Sequence, residues 1–218
     1  MIEESQSVRV KQFLVGRLAV FAYAVWDPAS REGVLIDPAF ETEKILAWVG
    51  EAGLRVSHVV NTHAHTDHTA GNAVILAATG AKLAIHRLEK KRLGRVWNKA
   101  IAKVLGGGGS PAPDLLLEDG DEIPVGRFNL SVLHTPGHTA GGICLFCEGH
   151  LFTGDTLFVG GVGRTDLPGG SEKTLLASIK KRLFSLPDAT VVWPGHHYGE
   201  TPSSTIGREK RTNPFLAG

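Results

Sequence analysis

Residues 61–72 read NTHAHTDHTAGN, which places His63, His65, Asp67 and His68 within six positions. Side chains this polar and this crowded do not serve as core packing. Imidazole and carboxylate at close spacing are the donor types of a metal site. Three later stretches offer the same donors: HTPGHTAGG carries His138, LFTGDTLF carries Asp155 and WPGHHYG carries His196. Each follows an apolar run and lies in a turn punctuated by Gly or Pro, where a rigid scaffold presents its chemistry. Seven donors are too many for one ion, because a catalytic zinc takes three protein ligands and keeps a position open. They suit two divalent cations about 3.5–4 Å apart, bridged by a carboxylate. Imidazole with some carboxylate and no thiolate favours zinc first, with iron or manganese as alternatives. In an extended loop His63 and His65 project the same way and can hold one ion. Asp67 and His68, at the start of the next helix, can hold a second, where the helix N-terminus favours negative charge.

These donors need elements to carry them. Short apolar runs bounded by Gly, Pro and Asp predict strands over 8–16, 18–27, 33–38, 56–62 and 82–86. Further strands are predicted over 114–117, 121–125, 127–134, 142–148, 150–153 and 190–194. Helical spacing of apolar residues predicts helices over 41–53, 70–80 and 172–184, the first two ending at Gly53 and Gly80. Each half opens with strands and continues into helix, strand and loop. That rhythm predicts an α/β fold with two sheets packed together and helices outside, in a single domain over 1–218. The stretch 87–103, with Glu89 as its sole acid among basic residues, is read as a solvated helical face. The Gly-rich segment about 105–113 is read as a flexible flap.

Bulk properties exclude several classes. The chain has 218 residues, 42% hydrophobic and 21% charged, enough to bury an ordinary core. A net charge of +1 gives no reason to expect nucleic acid or a membrane surface as partner. The apolar run 18–26 falls short of the ~20 residues a spanning helix needs, and the acidic start has no secretory pattern. A cytoplasmic setting is expected. Cys144 and Cys147 sit three apart in a predicted strand, so their side chains diverge and pack rather than pair. His58 and His86 are read as core or rim residues, His134 as packing, His150 as part of a hairpin turn, and His197 as pointing away from the metal donors. Arg164 is read either as a fork for a substrate carboxylate or as the partner of Asp166. Tyr198 either lines a pocket or covers its loop. Asp37 either supports the histidine loop by a hydrogen bond or caps a turn.

Taken together, H-x-H-x-D-H at His63 to His68, T-P-G-H-T at His138, G-D at Asp155 and G-H at His196 resemble the metallo-β-lactamase fold superfamily. Within it they resemble the glyoxalase II-like hydrolases. The resemblance implies a four-layer αββα sandwich, two mixed sheets with helices outside. It implies that His63, His65 and His138 hold a first metal, Asp67, His68 and His196 a second, and that Asp155 bridges. It also implies hydrolysis of a small-molecule thioester of the acylglutathione type, with a hydroxide made available by the metals and oriented by Asp67. A thiol leaves with a pKa of about 8.5, so it needs little help from an acid. The stretch GGVGRTDLPGG, with Arg164, is similar both to short hydrolases and to persulfide dioxygenases of the same fold. The alternative reading is therefore a persulfide dioxygenase with one iron at His63, His138 and Asp155. A lactonase or other ester hydrolase is a further one.

Overall fold

A computed structural model describes residues 7–93 and 108–216. Six strands in chain order make the first sheet: β1 (Arg9–Val15), β2 (Val20–Trp26), β3 (Glu32–Ile36), β4 (Arg55–Asn61), β5 (Lys82–His86) and β6 (Leu115–Leu117). The first three pair antiparallel; β3 to β6 pair parallel. The strand at 115–117 thus closes the first sheet instead of opening the second. Asp114 sets this register, exchanging hydrogen bonds with the backbone of Leu83 at 2.8 and 2.9 Å. That pairing joins distant residues, so strand rhythm alone assigned β6 to the wrong half.

The second sheet takes β7 (Glu122–Val125), β8 (Phe128–His134), β9 (Ile143–Cys147) and β10 (His150–Gly154) as an antiparallel meander. A small hairpin, β11 (Leu157–Phe158) with β12 (Gly161–Val162), follows outside it. Then β13 (Val191–Pro194) pairs parallel with β10, and β14 (Ser204–Thr205) forms the edge. The hairpin and β14 were not legible as strands, being two residues each.

Alternation within β2 shows how the layers stack. Val20, Ala22 and Ala24 face the cluster that α1 (Thr42–Glu51) joins through Ile45 and Val49. Phe21, Tyr23 and Val25 face the second sheet's Leu130, Leu145 and Phe152. The short α2 (Thr66–Thr69) opens the histidine loop, and α3 (Asn72–Thr79) adds Ile75 to the first outer layer. After α4 (Lys90–Leu93), the second sheet's outer face is covered by α5 (Glu172–Ser178) and α6 (Ile206–Thr212), through Leu175 and Ile206. The architecture is therefore αββα. Gly80 ends α3 in the left-handed conformation, as its sequence position suggested. The helix predicted over 172–184 runs regularly to Ser178 and then widens, with the Phe184 amide reaching back to the Ile179 carbonyl at 3.0 Å.

Cys144 and Cys147 do diverge. Cys144 packs in the outer cluster and Cys147 between the sheets, and both are free thiols. The segment expected to be a flap lies partly outside the described residues. Its described part is tied down: the Gly109 amide donates to Ala70, and Ser110 is buried against Asn72. Glu89 is not on a solvated face; it is fully buried, while 94–103 of that basic stretch lie outside the described residues. No helix among the described residues is long and apolar enough to cross a membrane.

Candidate metal centre

All the predicted donors follow strand ends on one edge of the sandwich. His63, His65, Asp67 and His68 follow β4, His138 follows β8, Asp155 follows β10 and His196 follows β13. Backbone hydrogen bonds stitch the two sheets together at that edge. The Phe21 amide reaches the Gly195 carbonyl at 2.8 Å, and the Ile143 amide reaches the Thr62 carbonyl at 3.0 Å. Gly154, before Asp155, has a φ of +46°, and a Cβ there would lie 2.5 Å from Thr62 Oγ1, so only glycine lets the two loops close together.

The donors fall into three overlapping groups: His63, His65, His138; His63, His68, Asp155; and Asp67, His68, His196. Within each, the donor atoms all lie within 4.8 Å of one another. His63 and His68 belong to two groups each, so the groups form one continuous centre. The Asp155 carboxyl stands between: Oδ1 is 3.3 Å from His68 Nε2 and Oδ2 is 3.5 Å from His138 Nε2.

Hydrogen bonds behind the rings decide which nitrogen faces inward. A carbonyl can only accept, so His138 Nδ1 donates to Arg164 at 2.8 Å and His196 Nδ1 donates to Leu18 at 2.8 Å. His68 Nδ1 donates to Asp37 Oδ2 at 2.9 Å. Thr62 Oγ1 donates to Asp37 at 2.6 Å and so accepts from His63 Nδ1 at 3.1 Å. Each of these four imidazoles therefore turns Nε2 into the centre, the outer hydrogen bond selecting the tautomer as metal-binding histidines require. His63 Nε2 and Asp155 Oδ1 are buried there without a hydrogen bond. His65 Nδ1 faces His138 Nε2 at 2.9 Å, and His68 Nε2 faces His196 Nε2 at 3.2 Å. Inward lone pairs packed this tightly, with orphaned polar atoms between them, fit divalent cations.

Residues 15–196 match the Metallo-beta-lactamase superfamily. The chain belongs to that superfamily. Over 200 residues it is 38% identical to human mitochondrial persulfide dioxygenase ETHE1, covering 90% of this chain and 71% of that protein. Over 194 residues it is 41% identical to a hydroxyacylglutathione hydrolase of a Polaromonas species, covering 87% of this chain and 66% of that one. Its fold is similar to that of TTHA1623, solved in a di-iron-bound form, with a TM-score of 0.81 and 38% identity over 94% of this chain and 100% of that one. The narrower glyoxalase II-like resemblance thus stands beside an equally close resemblance to a dioxygenase.

In this metallo-beta-lactamase superfamily member the electrostatics of the centre are lopsided. Burial opposes ionisation of Asp155, but the imidazoles of His68, His196 and His63 outweigh it and hold the carboxyl well below its usual range. Burial, reinforced by neighbouring imidazoles, pushes His63 well down and His65 to about 4. Both are therefore neutral donors at pH 7. His68 goes the other way: burial lowers it, yet Asp155 and Asp37 together raise it well above the ordinary value, so its Nε2 lone pair becomes available to a cation by release of a proton.

The centre forms the floor of a cavity of about 710 Å³, a size that suits a small molecule. Phe158, Val162 and Phe215 give it apolar walls. Tyr198 lines it, stacked on His196 at 4.6 Å between ring centroids. Arg164 also lines it, and its guanidinium pairs with Asp166 at 2.7 and 2.8 Å. Of the two readings of Asp37, support of the histidine loop is the one observed. His134 stacks on His86, and His197 is exposed, its ring against Phe21. Glu89 and Glu209 had no sequence signal as part of the site. Both are buried, and Glu209 holds the Gly160 amide of the cavity wall at 3.0 Å.

Proposed function

We propose that this chain is a two-cation hydrolase of thioesters, acting on an acylglutathione-type substrate similar to S-lactoylglutathione and releasing a hydroxy acid and a thiol. The observation that carries this reading is the group Asp67, His68 and His196, gathered to coordinating distance beside the group His63, His65 and His138. Two divalent cations, zinc first among them, would supply a nucleophilic hydroxide near neutral pH and polarise the acyl carbonyl. The residues do the rest. Asp155 stays ionised between the two groups. Asp67, partly exposed to the cavity and 3.6 Å from His196 Nε2, accepts a hydrogen bond that orients the attacking water. Phe158 and Tyr198 line the space in which the acyl group would sit, and Arg164, held by Asp166 through two of its N–H groups, would offer the remaining ones to a substrate carboxylate. The thiol leaves without a dedicated acid, its pKa being about 8.5. The similarity to a hydroxyacylglutathione hydrolase supports the reading. Two free, buried cysteines accord with the reducing cytoplasmic setting that we propose with it.

A second reading has its own support. Human ETHE1 is a persulfide dioxygenase of comparable similarity, and His63, His138 and Asp155 would serve as two imidazoles and a carboxylate around one iron. One paired measurement separates the two. Metal is counted per chain, then lactoylglutathione hydrolysis is followed without oxygen and oxygen uptake with glutathione persulfide. About two cations with anaerobic hydrolysis supports the first. A single iron with oxygen uptake and negligible thioester turnover overturns it.

A further inference from the structure

Glu89 ends the 3₁₀ turn Arg87–Glu89 after β5 and is fully buried. A carboxyl withdrawn from water needs strong partners. Here both oxygens are used on backbone amides: Oε2 accepts from Ala64 at 3.1 Å and Oε1 accepts from Gly141 at 2.9 Å. These amides belong to different loops from different sheets. Ala64 lies between His63 and His65, and Gly141 lies on the loop of His138. The three histidines on the two loops make up one donor group. The contact is tight, since a Cβ on Gly141 would lie 2.8 Å from Glu89 Cγ. The loop is also held from behind: His134 stacks on His86 at 4.3 Å and donates from Nε2 to the Ala140 carbonyl at 3.0 Å. The group Asp67, His68 and His196 is anchored elsewhere, on Asp37 and the Leu18 carbonyl.

We propose that Glu89 is a positioning residue for one cation site only. It staples the His63–His65 loop to the His138 loop, so it sets the donor spacing of that group, whereas Asp37 orients single rings, His68 directly and His63 through Thr62. The inference rests on the two-cation reading above. A carboxylate suits the task because it accepts from both amides. Glutamine in its place would turn an N–H toward one of them.

The test is Glu89→Gln placed in two backgrounds and titrated with zinc against a chelating indicator. His196→Ala leaves the His63, His65, His138 group whole; His65→Ala leaves the Asp67, His68, His196 group whole. Loss of a supporting hydrogen bond typically weakens metal binding by about 10–100-fold, and that loss is expected in the His196→Ala background. In the His65→Ala background the affinity is expected to be essentially unchanged. Equal weakening in both backgrounds, or none in the first, overturns the proposal. If Glu89→Gln does not fold, Gly141→Ala is used, since its methyl displaces the Glu89 side chain; the same selective loss is expected and its absence is equally fatal. Failure of the unsubstituted protein to bind zinc would instead bring down the two-cation reading, and this inference with it.

Discussion

Asp37 Oδ2 and His68 Nδ1 meet at 2.9 Å with both residues essentially inaccessible to solvent. The same carboxyl accepts from the Thr62 amide at 2.9 Å and the Thr62 hydroxyl at 2.6 Å. One side chain at the end of β3 thus orients His68 directly and His63 through Thr62. It does so from a backbone with φ +47°, a conformation that Asp and Asn tolerate better than most residues.

Asp37→Asn should therefore keep the backbone and change the chemistry. An amide nitrogen facing His68 Nδ1 forces the ring's proton onto Nε2 and removes its lone pair from the centre. Metal affinity should fall by about 10–100-fold, as for loss of other ligand-orienting partners. Competition titration measures this, and an affinity equal to that of the unsubstituted protein would refute the orienting role.

Arg164 joins the centre through two separate parts. Its carbonyl accepts from His138 Nδ1, while its guanidinium stands in the cavity wall beside Asp166. Arg164→Ala removes only the second. Metal content should be unchanged, and KM for a carboxylate-bearing thioester should rise about tenfold, the scale of one charged hydrogen bond. Loss of metal in this variant would contradict the division of roles.

The two thiols should be chemically silent. Burial pushes Cys144 up to about 11 and Cys147 up to about 12, leaving negligible thiolate at pH 7. A thiol reagent is expected to label neither in the folded protein and both in denaturant. Replacing each by Ala should not alter metal content. Rapid labelling of the native chain would show that these strands are not packed as described.

Asp27 ties the sheets together far from the metal centre. Its fully buried carboxyl accepts from the Arg127 side chain at 2.8 and 2.9 Å and from the Ala29 amide at 2.9 Å. Hydrogen bonds from Arg127 outweigh burial and hold its pKa well below the usual range. A carboxyl with a depressed folded pKa contributes stability above its unfolded value, about 3.9, and loses it as pH falls toward the folded one. Asp27→Asn should cost roughly 1–3 kcal/mol at pH 7, at the lower end because Arg127 is half exposed. Urea unfolding should show the gap between the two proteins closing below pH ~4. A gap constant down to pH ~3 would deny that the carboxylate is responsible.

Donor types, their loops and most of the strands were legible from sequence because each depends on neighbours in the chain. His63 to His68 declare themselves by spacing, Gly80 ends a helix by its own backbone freedom, and the alternation through Cys144 and Cys147 sends their side chains to opposite faces. Tertiary structure alone decided which sheet β6 joins, because that depends on Asp114 meeting Leu83. It alone made Glu89 a buried staple instead of one more charge on a basic face. It alone chose between the two readings of Asp37, since His68 lies 31 positions away. Local conformation follows from adjacent residues. The partner of a buried polar group follows from how distant segments pack, and desolvation makes that partner obligatory without leaving a mark in the sequence around it.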